Sequence, residues 1–395
     1  MSRFSIQTLN NISNIGLKRL PEKRYTVAND AAAPDAILVR SQKMHDLPIP
    51  GSVRAIGRAG AGTDNIPVAK LSARGIPVFN APGANANAVN ELVLTALLLA
   101  SRNLVPALNF VRDMPESDDK SLHTLMEDKK KLFAGSELPN HTLGIIGLGA
   151  IGSMVAETAI RLGMKVVGYD PEITVEGAWR LPSQVKKAES VEEVVKAGDF
   201  ISLHVPLLEK TRHVINAERV ALMRNHAVLL NFARDGLVDD DAVIAGLQSK
   251  KLKYYLSDFP SLKLRHHPQV IAFPHLGAST AEAEENCAVM VVDQLRDFLE
   301  HGNITNSVNF PNAQLSRESP FRLGIAHANV PNMLAQISSG LGESDVNIHN
   351  MLNKSKGEVA YTLVDVDSSI STAVIGKIAA IKGVLSVRSI PLDNV

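Results

Sequence analysis

The stretch TLGIIGLGAIG at Thr142–Gly152 joins a short apolar run to a glycine-rich turn. Its apolar residues predict a buried strand, and a helical pattern follows over Ser153–Leu162. Gly147 permits a tight turn from strand to helix, Gly149 lets the backbone approach a pyrophosphate, and Gly152 lets helix and strand pack closely. The N–H groups at the helix start would then face the phosphates. The stretch therefore predicts a dinucleotide-binding α/β domain; the alternative is a glycine turn required only for packing.

The next predicted strand ends at an acidic residue. Gly163 is expected to end the helix, and Lys165–Tyr169 to form the strand. Asp170 follows it, 18 residues after the last glycine of the turn. An acid at that position accepts hydrogen bonds from the adenosine ribose hydroxyls of NAD. Pro171 and Glu172 bring no positive charge that would attract a 2′-phosphate, so the sequence favours NAD over NADP.

The composition is typical of a globular protein with balanced charge. Of 395 residues, 45% are hydrophobic, and 41 basic residues match 41 acidic ones. This balance argues against nucleic acid or an anionic membrane as a partner. We expect no signal peptide, and the longest apolar run, Leu92–Ala100, is too short for a membrane span. The single cysteine, Cys287, is expected to be a small buried side chain in a reducing, cytoplasmic compartment.

Residues 1–90 alternate short apolar runs with helical or turn segments, which predicts a small α/β domain with a parallel sheet. Its clearest strands are expected at Ala36–Val39, Val53–Gly57 and Pro77–Phe79. A long apolar helix is expected from Asn90 to about Phe110. The polar residues 113–140 are expected to form a solvated loop.

Strands and helices continue to alternate after Asp170 and predict a doubly wound domain. The expected elements are Ser190–Lys196, Asp199–Val205, Asn216–Met223, Ala227–Asn231, Asp239–Ser249, Lys253–Asp258 and Val270–Phe273. A long helix over Thr280–Glu300 is expected to return the chain to the first domain and make that domain discontinuous.

Gly302–Pro320 is polar, contains two prolines and predicts a linker. Beyond it, a βαββαβ order predicts a small ferredoxin-like sandwich. Its expected elements are Phe321–Ala326, Met333–Gly342, Val346–Leu352, Val359–Asp365, Ser371–Ile381 and Val384–Ile390.

Two candidate catalytic residues follow predicted strands of the doubly wound domain. Arg234 lies just after Ala227–Asn231, where a guanidinium can hold a carboxylate with two hydrogen bonds. His275 lies in PHLGAST, and an imidazole there can take a hydroxyl proton as hydride leaves. The alternatives are an ion pair of Arg234 with Asp235 or Asp239, and a structural histidine.

Two arginines follow predicted strands of the first domain, Arg40 in ILVRS and Arg58 in GRAGAGTD. Ligands gather beyond the carboxyl ends of parallel strands, so both side chains could face a ligand. The turn Gly60–Asp64 offers backbone N–H groups to an anion. The alternative is a pair of surface arginines beside a turn.

The motifs GLGAIG, GYDP, NFARDGLVD and PHLGAST together resemble the D-isomer-specific 2-hydroxyacid dehydrogenase family over nearly the whole chain. The resemblance implies an α/β fold with a Rossmann-type, doubly wound NAD domain inserted in a flavodoxin-like substrate domain, followed by a C-terminal ferredoxin-like ACT domain. The implied boundaries are 1–92 with 279–305 for the substrate domain, 93–278 for the NAD domain, 306–319 for a linker and 320–395 for the ACT domain.

The resemblance also implies the residues that bind NAD. They are Gly147, Gly149, Ala150, Ile151, Gly152, Asp170, His204, Pro206, Phe232, Ala233, Asp258 and Gly277. No metal site is implied. Arg234 and His275 match the family's catalytic arginine and histidine.

Within the family, the chain is most similar to enzymes that oxidise 3-phospho-D-glycerate to 3-phosphohydroxypyruvate in the first step of L-serine synthesis. Arg40, Arg58, Gly60 and Asn85 match positions that hold this substrate. His327, Asn329 and Asn347 match positions at which ACT domains bind serine, so L-serine is the implied effector. A homodimer or homotetramer is also implied.

The sequence departs from the family at two positions. Leu262 stands where a glutamate normally hydrogen-bonds the catalytic histidine, and Asp258 could replace that glutamate or contact the nicotinamide amide. Asp235 stands where glycine is usual. Two other functions therefore stay open: a glyoxylate or hydroxypyruvate reductase, and a protein that senses NAD(H) with little catalysis.

Overall fold

The computed structural model describes residues 3–115 and 118–392. The chain divides into two compact units. One unit comprises residues 1–85 and 281–395, and the other comprises residues 86–280. The first unit is therefore discontinuous in sequence, with the second inserted into it.

The first unit begins with a five-stranded parallel sheet. Its elements are β1 (Phe4–Leu9), α1 (Asn14–Leu17), β2 (Tyr25–Ala28), β3 (Ala36–Val39), β4 (Ala55–Arg58), α2 (Val68–Ser72) and β5 (Val78–Phe79). The strand order β2-β1-β3-β4-β5 is the flavodoxin-like order, as predicted. β3 consists of four buried apolar residues because helices or loops cover both faces of a parallel sheet.

The second unit opens with three helices, α3 (Ala86–Ser101), α4 (Leu104–Arg112) and α5 (Asp119–Lys129). The prediction of one helix from Asn90 to Phe110 is wrong. The chain bends by 68° between α3 and α4, where Asn103 adopts a left-handed conformation with φ of +51°. The prediction of a loop over residues 113–140 is also wrong for α5, which the side chain of Asp118 caps at its N-terminus.

A seven-stranded parallel sheet forms the centre of the second unit, with strand order β8-β7-β6-β9-β10-β11-β12. Its elements are β6 (Thr142–Ile146), α6 (Ala150–Arg161), β7 (Lys165–Tyr169), α7 (Val175–Arg180), β8 (Lys186–Lys187), α8 (Val191–Ala197), β9 (Phe200–Leu203), α9 (Ala217–Leu222), β10 (Ala227–Asn231), α10 (Asp240–Gln248), β11 (Leu252–Ser257) and β12 (Val270–Ala272). This is the Rossmann order with one further strand, and the order reverses between β6 and β9. Helix α6 begins three residues earlier than predicted, directly at the glycine turn.

The chain returns to the first unit through the long helix α11 (Ala281–His301). One face of α11 packs on β4, and Gly57 permits this contact: a Cβ at that position would lie 2.7 Å from Leu295 Cδ1. Cys287 is buried on the same helix, and burial raises the pKa of its thiol. The cysteine is therefore a packing residue, as predicted.

The first unit ends with a four-stranded antiparallel sheet and two helices, which we call the C-terminal domain. Its elements are β13 (Phe321–Ala328), α12 (Met333–Gly342), β14 (Ile348–Lys356), β15 (Val359–Val366), α13 (Thr372–Ala379) and β16 (Val384–Pro391). The strand order β14-β15-β13-β16 confirms the predicted ferredoxin-like arrangement. Arg322 and Asp365 form a buried ion pair, with Nε and Oδ1 2.6 Å apart.

The segment between α11 and β13 contains no helix or strand, but it is closely packed. Backbone hydrogen bonds join Ile304 and Ala313 in both directions, and Phe310 is buried. The Asn309 side chain accepts a hydrogen bond from the Val78 N–H and donates one to the Ile76 carbonyl. The polar Asn309 therefore holds the segment between α11 and β13 against β5, whereas the sequence predicted only a polar linker.

Among the described residues, no single helix has the length and apolarity of a membrane span. The bent pair α3 and α4 has them jointly, by length and composition alone.

Candidate active site

The glycine turn between β6 and α6 has the geometry that the sequence predicted. Gly147 has φ of +96°, and a Cβ there would lie 2.6 Å from the carbonyl oxygen of His204. A Cβ on Gly152 would lie 1.9 Å from the carbonyl oxygen of Gly147. A Cβ on Gly149 would meet nothing within 4 Å, so open space lies beside the backbone where a phosphate could approach.

Asp170 connects the end of β7 to this turn. Its Oδ2 accepts a hydrogen bond from the Leu148 N–H at 2.8 Å, and its Oδ1 accepts one from the Glu172 N–H at 2.9 Å. Both bonds fix the carboxylate beside the glycine turn. The acid therefore lies where it could receive the ribose hydroxyls of a dinucleotide.

His204 follows β9, the strand on the other side of the point where the strand order reverses. Its Nε2 lies 2.8 Å from Ser202 Oγ, whereas its Nδ1 is buried and has no hydrogen-bond partner among the described residues. Burial of the ring lowers the pKa of His204 to about 4, although the residue as a whole is partly exposed. The imidazole is therefore neutral at pH 7, and Nδ1 could bond a bound molecule. The open turn, the fixed acid and this unpaired atom fit a dinucleotide.

Arg234 lies in a loop that the buried side chain of Asn231 organises at the end of β10. Asn231 donates from Nδ2 to the Arg234 carbonyl at 2.9 Å and accepts from the Ala233 N–H at 3.2 Å. Gly236 then takes φ of +78°, which completes the turn. Asp235 has no positive φ, so the backbone path there does not require the glycine that the family usually has.

His275 lies in a second loop, which Asp258 holds. Asp258 is 1% exposed, and its carboxylate accepts hydrogen bonds of 2.7 Å from the N–H groups of Leu276 and Gly277. Its carbonyl oxygen accepts a third bond from the His275 N–H at 3.1 Å. Both carboxylate oxygens thus accept hydrogen bonds from backbone N–H groups. His275 has a left-handed conformation, with φ of +56°.

The imidazole of His275 is exposed and packs against the Phe259 ring, with the ring centroids 5.0 Å apart. Within residues 3–115 and 118–392, no carboxylate forms an ion pair or hydrogen bond with it. Leu262 is 82% exposed, so this residue packs little and offers no acid. Asp258 therefore holds the backbone of the His275 loop, and it makes no bond to the ring.

The predicted phosphate ligands lie in the first unit. Arg40 follows β3 and Arg58 ends β4, and Arg58 Nε donates to the Arg40 carbonyl at 3.1 Å. The Arg58 guanidinium passes over Gly60, where a Cβ would lie 1.9 Å from Nη1. Asn85 has a buried Oδ1 without a hydrogen-bond partner among the described residues.

The predicted effector residues lie in the C-terminal domain. His327 is buried, with Nε2 2.8 Å from Thr362 Oγ1 and Nδ1 2.8 Å from the Ala328 carbonyl oxygen. Asn329 and Asn347 are exposed. Asn329 donates to the Gly357 carbonyl at 3.0 Å, and Asn347 donates to Asp367 at 2.7 Å. The two asparagines can reach a ligand, whereas both ring nitrogens of His327 already have partners.

Comparison with known proteins gives the family. The model of the D-isomer specific 2-hydroxyacid dehydrogenase NAD-binding domain matches residues 104–277. A D-3-phosphoglycerate dehydrogenase of Haemophilus influenzae is 35% identical over 347 residues, which cover 85% of this chain and 80% of that protein. This chain belongs to the D-isomer specific 2-hydroxyacid dehydrogenases.

Two further relatives of this family are informative. A D-3-phosphoglycerate dehydrogenase of Methanocaldococcus jannaschii is 38% identical over 280 residues, or 69% of this chain, but the match spans only 51% of that relative's length. The solved structure of an NAD⁺-bound 3-phosphoglycerate dehydrogenase of Entamoeba histolytica has a TM-score of 0.60 and 26% identity, covering 80% of this chain and all of that one. Membership of the family makes the chain an NAD-dependent oxidoreductase.

Sequence reasoning missed two partners of the predicted site residues. Glu284, at the start of α11, forms an ion pair with Arg40, with Oε1 and Nη2 2.6 Å apart. Phe259 supports the ring of His275. Glu284 lies in AEAEEN, close after PHLGAST, but no rule of spacing connects it with an arginine more than two hundred residues earlier in the chain.

Proposed function

We propose that this chain oxidises 3-phospho-D-glycerate to 3-phosphohydroxypyruvate with NAD, in the first step of L-serine synthesis. The observation that carries the proposal is the pair Arg40 and Arg58 at the carboxyl ends of neighbouring strands, joined by a direct hydrogen bond. Arginines at the ends of neighbouring strands suit a phosphate dianion better than an uncharged substrate end, and Arg40 also pairs with Glu284. The relatives from Haemophilus influenzae and Methanocaldococcus jannaschii bear the name of this activity.

The domain assignment is part of the proposal. Residues 1–92 with 279–305 would bind substrate, 93–278 would bind NAD, 306–319 would connect, and 320–395 would form an ACT domain. The βαββαβ order of the C-terminal domain supports the last assignment. The glycine turn supports the second, with Ala150, Ile151, Pro206, Phe232 and Ala233 as its further NAD contacts.

In this proposal Arg234 holds the substrate carboxylate with two parallel N–H···O bonds and fixes its orientation. His275 accepts the hydroxyl proton on a ring nitrogen, so that the carbonyl can form without a charged alkoxide. Bound NAD supplies the hydride acceptor. Asp258 keeps His275 in place through the backbone of residues 275–277.

Exchange of Arg58 for alanine tests the substrate. Loss of charge-assisted bonds worth about 1.5–3 kcal/mol should raise KM for 3-phosphoglycerate roughly tenfold to hundredfold, with a much smaller fall in kcat. Activity is measured as NADH formation with the product removed by a coupled reaction. Arg19→Ala, at an arginine paired with Asp293 on another face, is the matched control and should leave KM unchanged.

Two outcomes would contradict the proposal. An equal effect of Arg58→Ala on an unphosphorylated hydroxyacid would favour a glyoxylate or hydroxypyruvate reductase. No NADH formation by a folded protein that binds NAD would favour a sensor, for which the missing glutamate at Leu262 is the supporting feature.

L-Serine is the effector in this proposal, bound by Asn329 and Asn347 near His327, and a homodimer or homotetramer is the assembly. Millimolar L-serine should inhibit NADH formation, and Asn329→Ala or Asn347→Ala should relieve the inhibition. Asn87→Ala, an exposed asparagine on α3, is the control. If serine inhibits both variants as strongly as the unmodified protein, or does not inhibit the unmodified protein at all, the C-terminal domain has a structural role.

A cytoplasmic location completes the proposal, supported by the single cysteine, which is buried and free.

A further inference from the structure

A cavity of about 360 Å³ lies within the first unit, between the β4–α2 region and the C-terminal domain. Three arginines line it: Arg54, Arg74 and Arg388. Its other walls include the Phe298 ring from α11 and Tyr361 from β15. The volume is within the range of pockets that hold small molecules, about 300–1,000 Å³.

Arg388 on β16 is the central feature of this cavity. Its Nη2 donates to the Phe298 carbonyl, and its guanidinium carbon lies 4.3 Å from the centroid of the Phe298 ring. Its Nε and Nη1 are buried and have no hydrogen-bond partner among the described residues. The residue as a whole is partly exposed and lines the cavity, while these two atoms are shielded from bulk water.

An unpaired buried guanidinium is costly, because the low-dielectric surroundings penalise the charge and leave donors unsatisfied. Burial lowers the pKa of Arg388 to about 10, so the side chain still carries its charge at neutral pH. Three of its N–H groups, one on Nε and two on Nη1, thus lack the acceptor that such groups normally have in folded proteins. Because Nε and Nη1 point to different edges of the guanidinium, an oxyanion in the cavity would balance the charge and supply an acceptor to one of them.

The other charges around the cavity leave it positive. Arg54 is 45% exposed and pairs with Asp35 at 3.3 Å. Arg74 donates to the carbonyls of Ile49 and Pro50, which are neutral. Tyr361 stays protonated, since burial raises its pKa to about 12. The cavity is therefore surrounded by three positively charged guanidinium groups and one carboxylate, that of Asp35.

The walls bring polar groups from both parts of the unit to the same place. Ser386 Oγ on β16 donates to the Gly75 carbonyl at 3.2 Å, next to Arg74. A Cβ on Gly75 would lie 2.6 Å from that Oγ, so the turn after α2 approaches β16 very closely. The cavity is thus a formed feature of the contact between the C-terminal domain and the N-terminal sheet.

We infer that this cavity is a binding site for a small oxyanion, a phosphate or carboxylate group of a metabolite, with Arg388 as its anchor and Arg54 and Arg74 as its further cations. A ligand held by Arg54 and Arg388 would connect the N-terminal sheet to the C-terminal domain. The site involves none of the residues assigned above to NAD, substrate or serine.

Calorimetric titration with inorganic phosphate tests the inference on the full chain. The background is the Arg40→Gln/Arg58→Gln variant with saturating NAD, so that neither the proposed substrate site nor the glycine turn takes up phosphate. We expect one phosphate per chain. Arg388→Gln and Arg54→Gln should each weaken it by about tenfold or more, as for the loss of one charge-assisted bond. A parallel titration with citrate determines whether carboxylates or phosphates are preferred.

Lys23→Gln removes one positive charge from another exposed position and should leave phosphate binding unchanged. Arg54→Gln keeps the test valid if Arg388→Gln does not fold, because Arg54 is largely solvated. The inference is overturned if the background variant binds neither anion. It is also overturned if Lys23→Gln weakens binding as much as Arg54→Gln, which would indicate a general charge effect.

Discussion

Exchange of Asp258 for asparagine should impair both the stability of the second unit and the reaction. The carboxylate accepts two N–H bonds of 2.7 Å from residues 276 and 277 while 1% exposed. Asparagine keeps one acceptor oxygen and turns an NH₂ group toward the other N–H. One charge-assisted bond is lost and one buried donor is left unpaired, which costs about 2–5 kcal/mol together.

The effect on catalysis follows from the position of His275. The bonds of Asp258 hold the backbone on both sides of the imidazole, and a displacement of about 1 Å can reduce the rate about a hundredfold. We therefore expect kcat to fall by about tenfold to a hundredfold in Asp258→Asn. The fall in kcat should be present at every pH, because the aspartate acts on the backbone and makes no bond to the imidazole.

The assays are the pH–rate profile of NADH formation and the urea midpoint of the second unit. Asp241→Asn, an exposed carboxylate on α10 paired with Lys263, serves as the control and should change neither quantity. Wild-type kcat and an unchanged midpoint in Asp258→Asn would refute the positioning role.

Four further substitutions give separate tests. Gly149→Ala should fold normally but raise Kd for NADH about tenfold or more, since a clash with the bound dinucleotide that costs about 1.4 kcal/mol changes Kd by that factor. Gly152→Ala should also lower the melting temperature, because its Cβ would lie 1.9 Å from the Gly147 carbonyl oxygen. Asp365→Asn should destabilise the protein by about 3–5 kcal/mol, because it leaves the charge of the buried Arg322 without its carboxylate partner; an unchanged melting temperature would contradict this. His204 has a folded-state pKa of about 4, below its ordinary value of 6.5, so protons bind preferentially to the unfolded chain. Stability should fall as pH drops from 6.5 to 4, by about 3 kcal/mol at most, and His204→Gln should lose this part of the acid sensitivity in urea titrations.

The local pattern of the chain predicted the elements that depend on near neighbours. β3 and β10 lie at the predicted residues, because a continuous buried run between turns has few alternatives. One error occurred where a single backbone conformation decides the outcome. Asn103 interrupts an otherwise continuous helical pattern between α3 and α4, and nothing in its neighbours' types reveals its positive φ.

The NAD fold, the position of the glycine turn and the resemblance that points to Arg234 and His275 could be inferred from the amino-acid sequence, since each depends on residues close together in the chain. The role of Asp258 became visible in the folded chain, because its partners lie 18 and 19 residues away in a loop with no fixed spacing. The same holds for Glu284 beside Arg40 and for Arg388 above Phe298. Ion pairs and unpaired buried charges arise from distant segments that packing brings together. The amino-acid sequence alone does not show which acceptors those charged groups contact.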